Sequence, residues 1–283
     1  MPKIVFIGAG SQFGAKSFVD IMSFEALRGG EVVLVDNNPL HLRPVEAYCR
    51  KVVEHYKAPL KLSAEAGWRD GVLDGADYVI TSFAQGGQAY RGEPYRSEIC
   101  IPLSHGIIQT VADTVGIGGI FRMMRSAPEL LAIGHDMQQR CPNAILINYV
   151  NPMAMLTRSL ILGCPGLRSF GLCHNIQGGI REIAPYVGCN HKDLRFVAAG
   201  VHHLDWFLRL EYRDGRDAYP DLLRAAEKPE NYARCGSKFE LLKQFGCWSG
   251  EGPVHVAEYV PWFLPRQADR ESIRVPECKP PKD

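Results

Sequence analysis

Cys173-His174 and, further along the chain, His202-His203 are the residues whose types suggest metal chemistry. A thiolate and an imidazole facing one crevice can hold a divalent cation, with substrate oxygens filling the open positions. The same residues fit a plainer reading, a small buried cysteine and histidines that are exposed or satisfied in a core. A second chemistry is written near the start, in Gly8-Ala9-Gly10-Ser11. Small residues there let backbone N–H groups approach a pyrophosphate at a helix N-terminus. The full fingerprint places its third glycine at position 13, which is Phe13; Gly14 comes one place late. Asp36 adds a carboxylate that can accept hydrogen bonds from ribose hydroxyls and would repel a 2′-phosphate, favouring NAD over NADP. A tight turn beside a solvated aspartate is the alternative.

Weaker signals complete the set. Asn148 and Asn151 lie in NYVNP, where a strand-ending amide can hold a sugar hydroxyl or a ribose. Asp113 opens DTVGIGG, either a loop over substrate or a turn before a helix. Glu251, His255, Glu258 and Tyr259 put ionisable groups into EGPVHVAEY, any of which could carry a proton.

These groups need a scaffold that gathers strand ends. Residues 3–7 (KIVFI) form an apolar β run, 13–27 carry apolar residues at helical spacing, and 31–36 (EVVLVD) form a second strand. Apolar strands joined through a helix define a βαβ unit with a buried parallel sheet. Strand-like runs at 77–83, 144–150 and 168–172 alternate with helical stretches at 39–56 and 118–139. The pattern predicts an α/β, Rossmann-type doubly wound sheet, lactate/malate dehydrogenase-like, as an NAD-binding domain over residues 1–172. Residues 173–283 predict a smaller α+β substrate domain, with antiparallel strands at 196–199 and 206–212. Helix is expected over parts of 220–245, interrupted at Pro229. The three prolines in 274–283 predict an extended or disordered tail.

Composition narrows the class. The chain is 46% hydrophobic and 22% charged with a formal net charge of +1, which argues against a nucleic-acid grip. No apolar run approaches the roughly 20 residues a bilayer requires. The opening Met1-Pro-Lys reads as the approach to a first strand, not as a signal peptide. Nine cysteines, an odd number without repeating spacing, fit a reducing compartment, and the cytoplasm is the expected location.

Six segments together resemble one family, the NAD- and metal-dependent glycosidases of glycoside hydrolase family four, and among them the α-galactosidases most. They are KIVFIGAGS at 3–11, QTVADTVGIGGIFR at 109–122, NYVNPMAM at 148–155, GLCHNIQG at 171–178, GVHHLDWFLRLE at 200–211 and HVAEYVPWF at 255–263. The resemblance implies Cys173 and His203 as metal ligands, usually for Mn²⁺, although a thiolate alone suggests a softer ion. It implies Gly8, Gly10, Ser11 and Asp36 as the NAD site, and Asp113, Asn148, Asn151 and His202 as contacts to sugar or to its metal. His202 stands where the family usually has asparagine. His174 follows the metal cysteine where phospho-sugar members have aspartate, which favours an unphosphorylated glycoside. His174, Glu251 and Tyr259 are the catalytic candidates.

The implied reaction is hydrolysis without net oxidation. NAD⁺ oxidises the sugar at C3, the C2 proton is lost, the glycosidic oxygen is eliminated, water adds, and C3 is reduced again; two-carboxylate glycosidases work otherwise. The resemblance further implies a homo-oligomer and a C-terminally truncated chain, since members run well beyond this length. A truncated substrate domain would expose apolar surface. Two other readings use the same sheet: an NAD-dependent 2-hydroxy acid dehydrogenase, and a non-catalytic NAD-binding remnant.

Overall fold

A computed structural model describes residues 1–85, 93–109 and 116–264. The opening elements are β1 (Lys3–Ile7), α1 (Gln12–Ser23), β2 (Glu31–Val35), α2 (Pro39–Tyr56), β3 (Lys61–Glu65) and β4 (Tyr78–Thr81). Next come α3 (Tyr95–Ser104), α4 (Gly116–Arg140), β5 (Ile145–Asn148), α5 (Met153–Gly163), β6 (Arg168–Gly171) and α6 (Asn175–Tyr186). The chain continues through β7 (Leu194–Val201), β8 (Leu204–Tyr212), α7 (Tyr219–Ala225), α8 (Pro229–Phe245), β9 (Trp248–Ser249) and α9 (Pro253–Tyr259). Two compact units result: Met1–Gly92 with Phe121–Leu172, and Glu93–Ile120 with Cys173–Asp283. The segment Glu93–Ile120 thus groups with the second unit, whereas the sequence reading kept residues 1–172 together.

The first unit is a six-stranded sheet in the order β3-β2-β1-β4-β5-β6, parallel throughout. Successive residues of a strand point to opposite faces, so an all-apolar strand must be covered on both. Val5, Ile7, Val33 and Val35 pack with Leu130, Ile133 and Met137 of α4 and Leu156 of α5. Their neighbours Ile4, Phe6, Val32 and Leu34 pack with Phe18 and Met22 of α1 and Leu42 of α2. The chain reverses its winding between β1 and β4, and in such sheets ligands bind outside the strand ends at that point.

The second unit holds a three-stranded antiparallel sheet, β7-β8-β9. Its core joins Ile180 and Ile183 of α6, Phe207 and Leu210 of β8, Phe239 and Leu242 of α8, and Trp248. A smaller cluster packs Leu241 against Val256, Ala257, Phe263 and Leu264. Beside the larger core Lys238 is fully buried; its ammonium pairs with Glu182 of α6 and lies 4.6 Å from the Trp248 ring centroid. Among the described residues no helix is long and apolar enough to cross a membrane.

The structure corrects several expectations. The strands at 77–83 and 144–150 shorten to Tyr78–Thr81 and Ile145–Asn148, because apolar character outlasts the pairing ladder. Pro229 does not interrupt a helix but opens α8, where a missing N–H costs nothing. The kink in α8 falls at Cys235 instead (φ −141°, ψ 38°). Besides α5, α6, α9 and the short β9, for which the sequence suggests no range, the structure adds β3, an edge strand of polar sequence KLSAE, and α3, whose apolar residues have little helical periodicity. The expected tail from 274 and the residue Asp113 lie outside the described residues.

Glu182→Ala leaves the Lys238 ammonium buried without its carboxylate. Urea denaturation followed by circular dichroism is expected to show a loss of about 3–5 kcal/mol. Lys238→Met, which removes the charge at similar volume, is expected to lose far less; equal losses would refute this account.

Candidate functional site

In the first unit, β1 ends at Ile7 and the chain turns through Gly8 at φ +87°. Gly8 and Ala9 both donate to the Val35 carbonyl, at 2.8 and 3.0 Å, which ties the turn to the end of β2. A Cβ on Gly8 would stand 2.6 Å from the Phe83 backbone nitrogen, and one on Gly14 would collide with the Ala9 carbonyl. Gly14 therefore serves close packing of α1 on the turn, although it falls one place after the position the fingerprint assigns. Ser11 caps α1, its Oγ accepting from Gly14 N at 3.2 Å. Asp36 accepts from Gly10 N through Oδ2 and from Asn38 N through Oδ1, each at 2.9 Å. A carboxylate offers about four acceptor positions, so capacity for ribose hydroxyls remains. A side-chain-free turn, a helix N-terminus and this carboxylate fit a dinucleotide.

Asn148 is fully buried at the end of β5. Its Oδ1 accepts from Thr81 Oγ1 and Val150 N at 3.0 Å each, and its Nδ2 faces Val150 O and Thr157 Oγ1 at 3.3 and 3.4 Å. Its amide clamps neighbouring strand ends, so the expected sugar contact from Asn148 would have to break this network. Asn151 is half-buried just before α5.

The second unit gathers the remaining candidates around His203. Residues 202 and 203 form the two-residue loop between β7 and β8, whose flanking pair is Val201 and Leu204. His203 takes φ +62°, in the left-handed region where histidine is more tolerated than most non-glycine residues. Although at a hairpin tip, it is only 5% exposed. Its Nε2 lies 3.4 Å from Cys173 Sγ and 3.6 Å from Glu251 Oε2. Its Nδ1 lies 3.4 Å from the Tyr259 hydroxyl. His255 places Nδ1 3.9 Å from Glu251 Oε1, and its ring centroid is 4.8 Å from that of His203. The His202 ring lies against that of His203, with centroids 3.5 Å apart and planes tilted by 33°. Cys173, His202 and His203, and likewise His203, Glu251 and His255, have donor atoms within 4.8 Å of one another.

Local sequence explains the convergence. Cys173 follows directly after β6, where Leu172 N still donates to Asn148 O. Glu251, His255 and Tyr259 are spaced by four, and the latter two share one face of α9. Glu251 is steadied by accepting from Gly252 N at 2.9 Å. A thiol, two imidazoles and a carboxylate form a donor set suited to a divalent transition metal. His174 is exposed at the start of α6 and makes no side-chain cap.

Two supporting groups escaped the sequence reading. Asp205 is buried, accepts from the Asn175 amide, and burial raises its carboxyl pKa against that hydrogen bond. Gln109, also buried, donates to Glu258 at 3.4 Å and accepts from Gly118 N at 3.2 Å. An aspartate inside the apolar strand LDWFLRLEY is the available signal for the first; the second opens the segment QTVADTVGIGGIFR, and its residue type alone suggests no role.

A doubly wound sheet with a glycine turn and an acidic strand end, together with a Cys–His cluster in the second unit, is an arrangement suited to a protein that uses a nucleotide and a metal ion. Residues 3–189 match the model of the family 4 glycosyl hydrolases, and residues 198–279 match that family's C-terminal domain. The chain belongs to family 4 of the glycosyl hydrolases. It is 37% identical over 268 residues to an alpha-galactosidase of Bacillus subtilis (strain 168), covering 94% of this chain and 61% of that protein. The fold superposes on a Bacillus subtilis protein described as a glucosidase, with TM-score 0.82 and 25% identity over 96% of this chain and 65% of the other. It also superposes on a 6-phospho-alpha-glucosidase from gut microorganisms solved with NAD and Mn²⁺, with TM-score 0.76 and 20% identity, covering 98% and 68% of the two chains. This chain spans less than two thirds of the length of that curated relative.

Gly8→Ala is expected to weaken NAD binding at least roughly tenfold, equivalent to about 1.4 kcal/mol. Isothermal titration of NAD against the variant and the unaltered protein checks this; equal affinities would remove the turn from the cofactor site.

Proposed function

We propose that this chain carries the nucleotide- and metal-binding parts of a glycosidase that hydrolyses α-galactosides, working in the reducing cytoplasm. The observation that supports it most is the 3.4 Å approach of Cys173 Sγ to His203 Nε2. When bound, NAD supplies reversible oxidation of a sugar carbon and a divalent ion, Mn²⁺ in the solved neighbour, supplies Lewis-acid polarisation. Gly8, Gly10, Ser11 and Asp36 bind and orient the nucleotide, and Cys173 and His203 hold the ion. Tyr259 faces the other ring nitrogen of His203. With Nδ1 protonated, that nitrogen donates to the phenolic oxygen and leaves the Nε2 lone pair on the Cys173 side.

The same contact makes Tyr259 the group best situated to hold or move a proton beside the sugar. His174, next to Cys173 and exposed to solvent, contacts the leaving group or its water. His174 and His202 carry no negative charge, which fits a sugar or a sugar phosphate; the 37% likeness to an alpha-galactosidase favours the unphosphorylated α-galactoside.

Turnover of p-nitrophenyl α-galactoside is expected to require NAD⁺, Mn²⁺ and a thiol reductant, each omitted in turn. Cys173→Ser and His203→Ala are expected to lower kcat/KM roughly a hundredfold or more, the several kcal/mol that such polarisation supplies. Full activity without NAD⁺ or Mn²⁺, or in both variants, overturns the reading. Faster turnover of an α-glucoside or α-galacturonide overturns the sugar assignment alone.

A further inference from the structure

Cys173 and His203 approach each other from separate segments, and each is followed two residues later by a buried polar side chain. These are Asn175, the first residue of α6, and Asp205, the second of β8. Asn175 Nδ2 donates to Asp205 Oδ2, so a second contact between the same two segments runs beside the 3.4 Å approach of Cys173 Sγ to His203 Nε2. Asn175 is 7% exposed and Asp205 6%. Among the described residues Asp205 Oδ1 has no hydrogen-bond partner. A carboxylate buried with one oxygen unpartnered is costly, and replacing such a charge by a well-packed apolar side chain is often neutral or stabilising. Packing alone therefore gives no reason for an aspartate at 205.

The surroundings are nevertheless shaped for it. Gly250 N donates to the Asp205 carbonyl at 2.9 Å, and a Cβ on Gly250 would collide with Asp205 Oδ1. Gly200, which faces Asp205 across the β7–β8 ladder, has φ +152°, and its Cβ would collide with Asp205 Cα. Three segments thus meet at Asp205: the one after Cys173, the one after His203 and the one before Glu251.

We infer that Asn175 and Asp205 are positioning residues, a clamp that sets the separation of Cys173 from His203 and with it the affinity of the chain for its ion. The inference rests on Cys173 and His203 being the metal ligands. The hairpin fixes His203 but not where Cys173 stands, since Cys173 lies between β6 and α6. The buried amide–carboxylate contact supplies the missing restraint, two residues from each ligand. Neither clamp residue donates to the ion, so its remaining positions stay open to sugar oxygens and water.

Exchanging the two side chains tests the clamp, with Co²⁺ added to the whole chain in the absence of sugar. A sulfur-to-cobalt charge-transfer band reports the thiolate, equilibrium dialysis the affinity, and far-ultraviolet circular dichroism the fold. The unaltered protein is expected to show the band. Asn175→Asp sets two carboxylates face to face; it is expected to weaken Co²⁺ binding at least roughly tenfold and to diminish the band while circular dichroism stays native. Asp205→Asn keeps an acceptor for the Asn175 amide and is expected to lose less. The double variant Asn175→Asp/Asp205→Asn restores a donor and an acceptor in the opposite sense, and is expected to regain the band and an affinity within about threefold of the unaltered protein.

No band in the unaltered protein overturns the reading of Cys173 as a ligand, and the clamp with it. A normal band with unchanged affinity in Asn175→Asp, or a double variant that binds no more tightly than Asn175→Asp, overturns the clamp alone. If Asn175→Asp unfolds, the double variant decides by itself. Native circular dichroism with the band and the affinity regained supports the clamp; loss of fold or of affinity overturns it.

Discussion

A histidine held in the left-handed region at a buried hairpin tip is the constraint on which the second unit's site depends. Non-glycine residues in that conformation cost of order 1–3 kcal/mol and persist only where their surroundings over-determine them. His203 is over-determined from three sides: Cys173 and Glu251 at one nitrogen, Tyr259 at the other, and the His202 ring against its face. A tip in solvent would let residue 203 relax to an ordinary turn. Here the β7–β8 pairing on either side of the loop fixes its position, and the α9 face closes over it.

The first unit reaches its site by different physics. Nothing there depends on strained side chains; the arrangement follows from four consecutive buried apolar residues in each of β1 (Ile4–Ile7) and β2 (Val32–Val35), which present apolar side chains on both faces. Once helices cover both sides, the strand ends must emerge together at one edge, and the turn after β1 has no choice but to pass close to Phe83. A glycine at 8 follows from that crowding. The anion-accepting character of the turn comes with the geometry, since the capped start of α1 lies immediately beyond.

Much of this was legible beforehand, for reasons that differ residue by residue. The strands with Val, Ile and Leu on both faces announced the parallel sheet, and Asp36 was recognisable because it ends one of them. Cys173 was readable as a strand-end residue, but pairing it with His203 needed the family resemblance, since no periodicity links positions thirty apart along the chain. The spacing by four of Glu251, His255 and Tyr259 is visible in the sequence, yet nothing there says what these side chains meet. Asn148 illustrates a related limit of sequence: a strand-ending amide is equally suited to a ligand and to its neighbours, and here it bonds Thr81 and Val150. β3 was invisible because an edge strand needs little apolar content.

That last strand has a bearing on how the molecule behaves in a crowded solution. An open sheet edge offers unpaired amides to any passing chain, and proteins blunt it with short, charged strands. β3 is five residues long, with Lys61 and Glu65 exposed at its ends and the Lys61 ammonium 3.2 Å from Glu31 of β2. A foreign strand docking there would have to desolvate both charges, so the sheet is guarded against growing into an aggregate along this side.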